Sequence, residues 1–123
     1  MQFCHVTLAV KDVDISLRFY QDIAKLKLNK RFSVGTNIEI ALLGDVAEIE
    51  LISGSMGIYR NGESKGNGVS IGFLTDSLEN TIALLREQGY KTDGAIISPN
   101  PSARFVLADD PDGYTIQFME HTK

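Results

Sequence analysis

Hydrophobic and polar positions alternate along HVTLAV (residues 5–10), and the apolar residues then spread to helical spacing at Val13, Leu17, Tyr20 and Ile23. The same change of period recurs later: VSIGFL runs into a stretch with apolar residues at Leu78, Ile82 and Leu84. The segments CHVTLAVKDVDISLRFY and VSIGFLTDSLENTIALL superpose without gaps, each residue of the first matching the one 65 positions on. His5 thereby pairs with Ser70, Val6 with Ile71, Leu8 with Phe73 and Leu17 with Ile82. Each segment reads as a strand, a short polar turn and an amphipathic helix. Asp12 or Asp14 is the candidate N-cap of the first helix, Asp76 or Ser77 that of the second, and Gly89 closes the second.

Three strand-like stretches follow each helix. They cover 28–34, 37–43 and 47–52 in the first half, and 91–97, 104–108 and 114–119 in the second. Turn residues separate them, the strongest being Asp110-Pro111-Asp112-Gly113 before YTIQFME. The pattern predicts an α+β chain of two βαβββ repeats, 1–53 and 69–120, making one domain. Between them lies a linker, 54–68, carrying Gly54, Gly57, Gly62, Gly66 and Gly68, either mobile or folded over a site. Four strands with one helix outside form a half-barrel with an open concave face. Two such halves, within a chain or across a dimer, give a curved mixed sheet around a cup, where a ligand site is expected.

Composition narrows the function classes. A hydrophobic content of 43% is ordinary for a folded domain. The 12 Lys and Arg are scattered and the net charge is −4, which argues against nucleic acid as a partner. No apolar run approaches the roughly 20 residues that span a bilayer, so no membrane partner is expected. The start MQFCHVTLAV has no secretory leader pattern and Cys4 is a single cysteine, both fitting a cytoplasmic protein. At an alternating strand position, Cys4 reads as a small buried hydrophobe.

Four segments in order carry a resemblance over nearly the whole chain: HVTLAVKDVDISLRFYQDIAKLKL, AEIELI, GVSIGFLTDSLENTIALLREQGY and DDPDGYTIQFME. Together they resemble the vicinal oxygen chelate superfamily, which includes glyoxalase I, the bleomycin-resistance proteins and dioxygenases. The nearest members are the bacterial glyoxalase I-like proteins. The resemblance implies a divalent metal, zinc, nickel, cobalt or iron, held by one side chain from the first and one from the last strand of each half. Mapped here, those positions are His5, Glu50, Ser70 and Gln117. Glyoxalase I has His at the Ser70 position and Glu at the Gln117 position, so this chain departs at both.

The donor chemistry ranks these residues. The His5 imidazole and Glu50 carboxylate are good ligands, the Gln117 amide oxygen is a weaker one, and the Ser70 hydroxyl is poor. The expected metal set is therefore His5, Glu50 and Gln117. Ser70, Phe73 and Phe105 are assigned to the substrate cup, and Phe32, Tyr59 and Phe118 are further aromatic candidates for stacking. The resemblance implies a metal-dependent lyase or isomerase of the lactoylglutathione lyase type with an incomplete metal site. Glu50 then serves as both ligand and catalytic base, because an amide at position 117 does not ionise. The alternative is a metal-independent protein that sequesters a small molecule, as bleomycin-resistance proteins do. A homodimer is the implied assembly, and a small molecule the implied ligand. Glu39, Glu48 and His121 are read as solvent-facing and take no role.

Overall fold

The computed structural model describes residues 1–54 and 69–121. Contacts divide the chain into two compact units, Met1–Ser64 and Lys65–Lys123, and each is described by itself. Among the described residues, no helix is long and apolar enough to cross a membrane.

The first unit contains β1 (His5–Ala9), α1 (Val13–Arg18), β2 (Leu28–Val34), β3 (Ile38–Leu43) and β4 (Glu48–Ser53). Its sheet order is β1-β4-β3-β2, with β1 parallel to β4 and the other pairs antiparallel. Asp12 caps α1, its side chain accepting from the Ile15 N–H at 3.2 Å. The helix is shorter than the apolar spacing predicts. At Phe19–Ile23 it widens into a π-helical turn, closed by a bond from the Ala24 N–H to the Phe19 carbonyl. The wider turn lets the adjacent Phe19 and Tyr20 both turn inward, edge to face at 5.0 Å, and neither has any exposed surface. Leu8, Val13, Leu17, Leu43 and Leu51 complete this core. At its margin Arg31 bridges Asp14 of α1, 2.8 Å away, and Glu39 of β3. The hydrogen bonds to Asp14 and Glu39 hold the Arg31 guanidinium above its usual range.

The second unit repeats the order with β5 (Ser70–Leu74), α2 (Leu78–Glu87), β6 (Ile97–Asn100), β7 (Ala103–Asp109) and β8 (Thr115–His121). Its sheet order, β5-β8-β7-β6, has the same parallel pairing of first and last strands. Ser77, the repeat mate of Asp12, caps α2 through the Asn80 N–H. Gly89, in the left-handed region, lets the chain turn back at the other end. Leu78, Leu85, Val106, Ile116 and Phe118 form the core.

The strand predicted over 91–97 is displaced to Ile97–Asn100. Residues 91–96 run beside β7 without a regular ladder, because side chains and a turn take over the backbone groups. The Thr92 hydroxyl donates to the Leu107 carbonyl, Asp93 accepts from the Ala95 N–H, and Gly94 has φ +67°. His121, predicted in a solvated tail, is the exposed last residue of β8 and pairs with Ala103. The predicted linker lies, from residue 55 onward, outside the described residues.

A charged group seals the start of α2. Glu120 accepts from the Leu78 N–H at 2.8 Å through one oxygen and from Arg104 at 2.6 Å through the other. The backbone bond from Leu78, and then Arg104, hold the Glu120 carboxyl below the usual glutamate value of 4.5. Arg104 also reaches Glu79, but its buried Nε has no partner among the described residues.

Two predictions follow from backbone and charge. Gly54 and Gly89 both have positive φ, +91° and +79°, but a Cβ at Gly54 would sit 2.1 Å from the Asn37 carbonyl oxygen, whereas one at Gly89 meets nothing within 4 Å. Gly89→Ala should cost about 1 kcal/mol, from strain alone. Gly54→Ala, which must also displace backbone, should cost roughly 3 kcal/mol or more in urea melts. Glu120 stabilises the fold fully above the ordinary value of 4.5, and that contribution is lost as pH falls through its lower folded-state value. Glu120→Gln should therefore lower Tm at neutral pH, and the gap to the parent should narrow on acidification.

Candidate functional site

Alternation along the strands gives the first sheet two unlike faces. Leu8, Ile49 and Leu51 are buried on the face that packs under α1. His5, Thr7 and Ala9 of β1 lie on the other face, with Glu48, Glu50 and Ile52 of β4. The parallel register sets Thr7 opposite Glu50 and His5 opposite Glu48. The Thr7 hydroxyl donates to Glu50 Oε1 at 2.8 Å. His5 Nε2 lies 3.8 Å from that same oxygen, too far for a hydrogen bond and close enough for electrostatic attraction when the ring is protonated. The Glu50 side chain retains 17% of its exposure and that of His5 39%, so both are reachable from solvent. Glu50 Oε2 has no partner among the described residues.

On its other side, the His5 ring places Nδ1 3.4 Å from Cys4 Sγ. With the ring proton on Nδ1, directed at sulfur, the lone pair of Nε2 faces Glu50. Cys4 is exposed and precedes β1, so it is not the buried hydrophobe that alternation predicted. The first strand begins one residue later, with the Cys4 carbonyl accepting from the Glu48 N–H of β4 at 2.9 Å and its side chain left exposed.

The second sheet offers a chemically different face. Ser70, Gly72 and Leu74 of β5 share it with Thr115, Gln117 and Met119 of β8 and with Phe105 and Leu107 of β7. Gly72 is the register partner of Gln117, the place Thr7 holds beside Glu50. Ser70 is exposed and Gln117 half-buried, and the Gln117 amide makes no hydrogen bond among the described residues. Ser70, Thr115 and Gln117 are neutral, while Asp109 of β7 and His121 of β8 stand at the two ends of the same face.

The structure thus brings His5 and Glu50 together in the first unit, and puts Ser70, Phe105 and Gln117 on one face of the second. Phe73, assigned from the sequence to the substrate cup, is a correction. One residue from Gly72, it points to the opposite face, stacked at 5.9 Å on Phe118, which is 2% exposed. Phe118 belongs to the core of this unit, with the half-buried Phe73 against it, so Phe118 is no stacking candidate either. Phe32 is exposed, with Lys30 Nζ 5.4 Å above its ring. Tyr59 lies outside the described residues.

Thr7 and Glu48 were missed as site residues. The spacing His5-x-Thr7 and Glu48-x-Glu50 was the available signal, since period two places both pairs on one face. Glu48 is tied to the Asn29 amide at 2.9 Å and Glu39 to Arg31, so neither is simply solvated. Among the described residues, no group of three or more His, Cys, Asp or Glu is arranged to hold a metal. A cavity of about 270 Å³ in the second unit is lined by Lys91, Thr92, Asp93, Leu107, Ala108 and Asp109, a set that includes none of the mapped donors.

Comparison with known proteins locates these features in a family. The model of the Glyoxalase/Bleomycin resistance protein/Dioxygenase superfamily matches residues 2–118. The lactoylglutathione lyase of Haemophilus influenzae is 33% identical over 130 aligned positions, covering 98% of this chain and 93% of that protein. A glyoxalase family protein from Bacillus cereus superposes with a TM-score of 0.85 at 17% identity, covering 100% of this chain and 95% of its own. The trypanothione-dependent glyoxalase I of Leishmania major superposes with a TM-score of 0.76 at 22% identity, covering 98% and 86%.

Proposed function

The chain belongs to the Glyoxalase/Bleomycin resistance protein/Dioxygenase superfamily, and from that membership we propose that it is a divalent-metal-dependent lyase or isomerase of the lactoylglutathione lyase type, with His5 and Glu50 as its principal metal ligands. One observation carries the proposal: an imidazole nitrogen and a carboxylate oxygen, 43 residues apart in sequence, stand 3.8 Å from each other on one accessible sheet face. Two ligands of one ion, each at about 2.0–2.2 Å, lie roughly 3–3.5 Å apart at tetrahedral or octahedral angles. A small side-chain adjustment separates the present spacing from that range, and His5 already has Nε2 turned to the carboxylate. The donor pair fits zinc, nickel, cobalt or iron.

When bound, the metal supplies Lewis acidity that polarises adjacent oxygens of a small substrate and acidifies the neighbouring C–H. Glu50 accepts that proton through its open oxygen and returns it to the adjacent carbon as general acid. His5 holds its orientation through Nδ1 and presents Nε2. By residue type Gln117 is the candidate third donor, and Ser70 and Phe105 are the candidates for contact with a small-molecule ligand. The proposal extends to a homodimer in the cytoplasm, where the exposed Cys4 thiol stays reduced. A second reading, metal-independent sequestration of a small molecule, is favoured by the neutral side chains at Ser70 and Gln117.

Metal analysis discriminates the two. The purified protein should carry close to one transition metal per chain and gain Tm with zinc, nickel or cobalt, while His5→Ala loses the metal and keeps the metal-free Tm. A metal-free protein indifferent to all three ions would establish the second reading. His5→Ala that unfolds yet leaves metal content unchanged would make His5 a structural residue. In an assay with the hemithioacetal of methylglyoxal and glutathione, Gln117→Glu should raise turnover by about 10²-fold or more, since a placed general base is worth about 10²–10⁴. An unchanged rate would remove position 117 from the reacting centre.

A further inference from the structure

We propose that Thr7 is a positioning residue of this site: its hydroxyl ties one oxygen of Glu50 and so presents the carboxylate to an incoming metal. This rests on the metal reading above and adds a residue that the mapped ligand positions do not include. The two residues are register partners on neighbouring parallel strands, and the hydroxyl donates to Oε1 at 2.8 Å. A glutamate side chain has three rotatable bonds, and each rotamer frozen on binding opposes affinity. Threonine is stiff at χ1, so its hydroxyl is held in few orientations. Oε1, the oxygen held, is also the one 3.8 Å from His5 Nε2, so the bond fixes the ligand oxygen beside the imidazole and leaves Oε2 open as the base.

The second unit is an internal control. There Gly72 holds the equivalent place, Ser70 replaces His5 and Gln117 replaces Glu50. Sterics do not forbid a side chain at position 72, because a Cβ there would meet only the Gln117 carbonyl oxygen, at 4.0 Å. The anchor is therefore present in the unit that carries the imidazole and the carboxylate, and missing in the unit that has a hydroxyl and an amide at those positions. Outer partners of metal ligands typically change metal affinity by 10–100-fold.

The test compares Thr7→Val, which keeps the branched shape and removes the hydroxyl, with Thr7→Ser, which restores it. Co²⁺ titration, followed by its visible absorption, should show Thr7→Val binding about 10–100-fold more weakly and Thr7→Ser returning close to wild type, with the metal-free Tm little changed in both. Wild-type Co²⁺ affinity in Thr7→Val, or equal weakness in Thr7→Ser, overturns the proposal. A metal-free readout separates its failure from that of the metal reading. The ¹³C resonance of the Glu50 carboxyl in the metal-free protein should move in Thr7→Val and return in Thr7→Ser. If the wild type takes up no Co²⁺, the metal reading falls and this resonance alone decides: a shift restored by serine upholds Thr7 as the anchor, and no shift refutes it.

Discussion

Parallel pairing between the first and last strand of a unit is the constraint on which everything else in that unit depends. Parallel neighbours cannot be joined by a tight turn, so the intervening chain must cross over, and α1, β2 and β3 are that crossover in the first unit. The helix takes one face of the sheet and buries Leu8, Ile49 and Leu51. By elimination the polar members of β1 and β4 are left on the other. A slip of one residue in this register would exchange the faces, burying His5 and Glu50 and exposing the leucines. The burial of a few aliphatic side chains thus fixes where the imidazole and the carboxylate stand.

The second unit obeys the same constraint with different contents. Its capping serine, its parallel β5/β8 pair and its buried Ile116 and Phe118 reproduce the mechanics of the first unit. The exposed face has changed character, from imidazole, hydroxyl and carboxylate to hydroxyl, glycine and amide. Core positions answer to packing and accept any well-fitting apolar residue, whereas the open face answers to whatever it binds. Divergence on that face is what two halves with different duties would show.

Much of this was legible in the chain. The repeat, the order of elements and β2 at Leu28–Val34 follow from periodicity, and local hydrogen-bonding chemistry narrows each cap to two residues, of which the structure uses Asp12 and Ser77. The misses have local causes. The stretch from Lys91 to Ile96 forms no regular strand, because Thr92, Asp93 and Gly94 divert its hydrogen bonds from a ladder. The π-helical turn at Phe19–Ile23 is a response to packing two adjacent aromatics, which a helical period does not encode. Phe73 was placed with Ser70 on the strength of its aromatic ring, although their odd separation along β5 sets them on opposite faces. Thr7 went unnoticed because its role depends on a partner 43 residues away, and register is visible only once the strands are paired.

That same separation governs how the first unit comes into being. Joining β1 to β4 closes a long loop, whose entropy must be met before the pairing returns any stabilisation, and non-local pairings of this sort slow folding. Helix α1 and the antiparallel β2/β3 and β3/β4 pairs can form from nearer neighbours. The strand carrying His5 docks only through the most distant contact. The unfolded and half-folded chain therefore holds no paired imidazole and carboxylate. Any ligand that needs both recognises the finished unit alone, and shifts the folding equilibrium toward it by mass action.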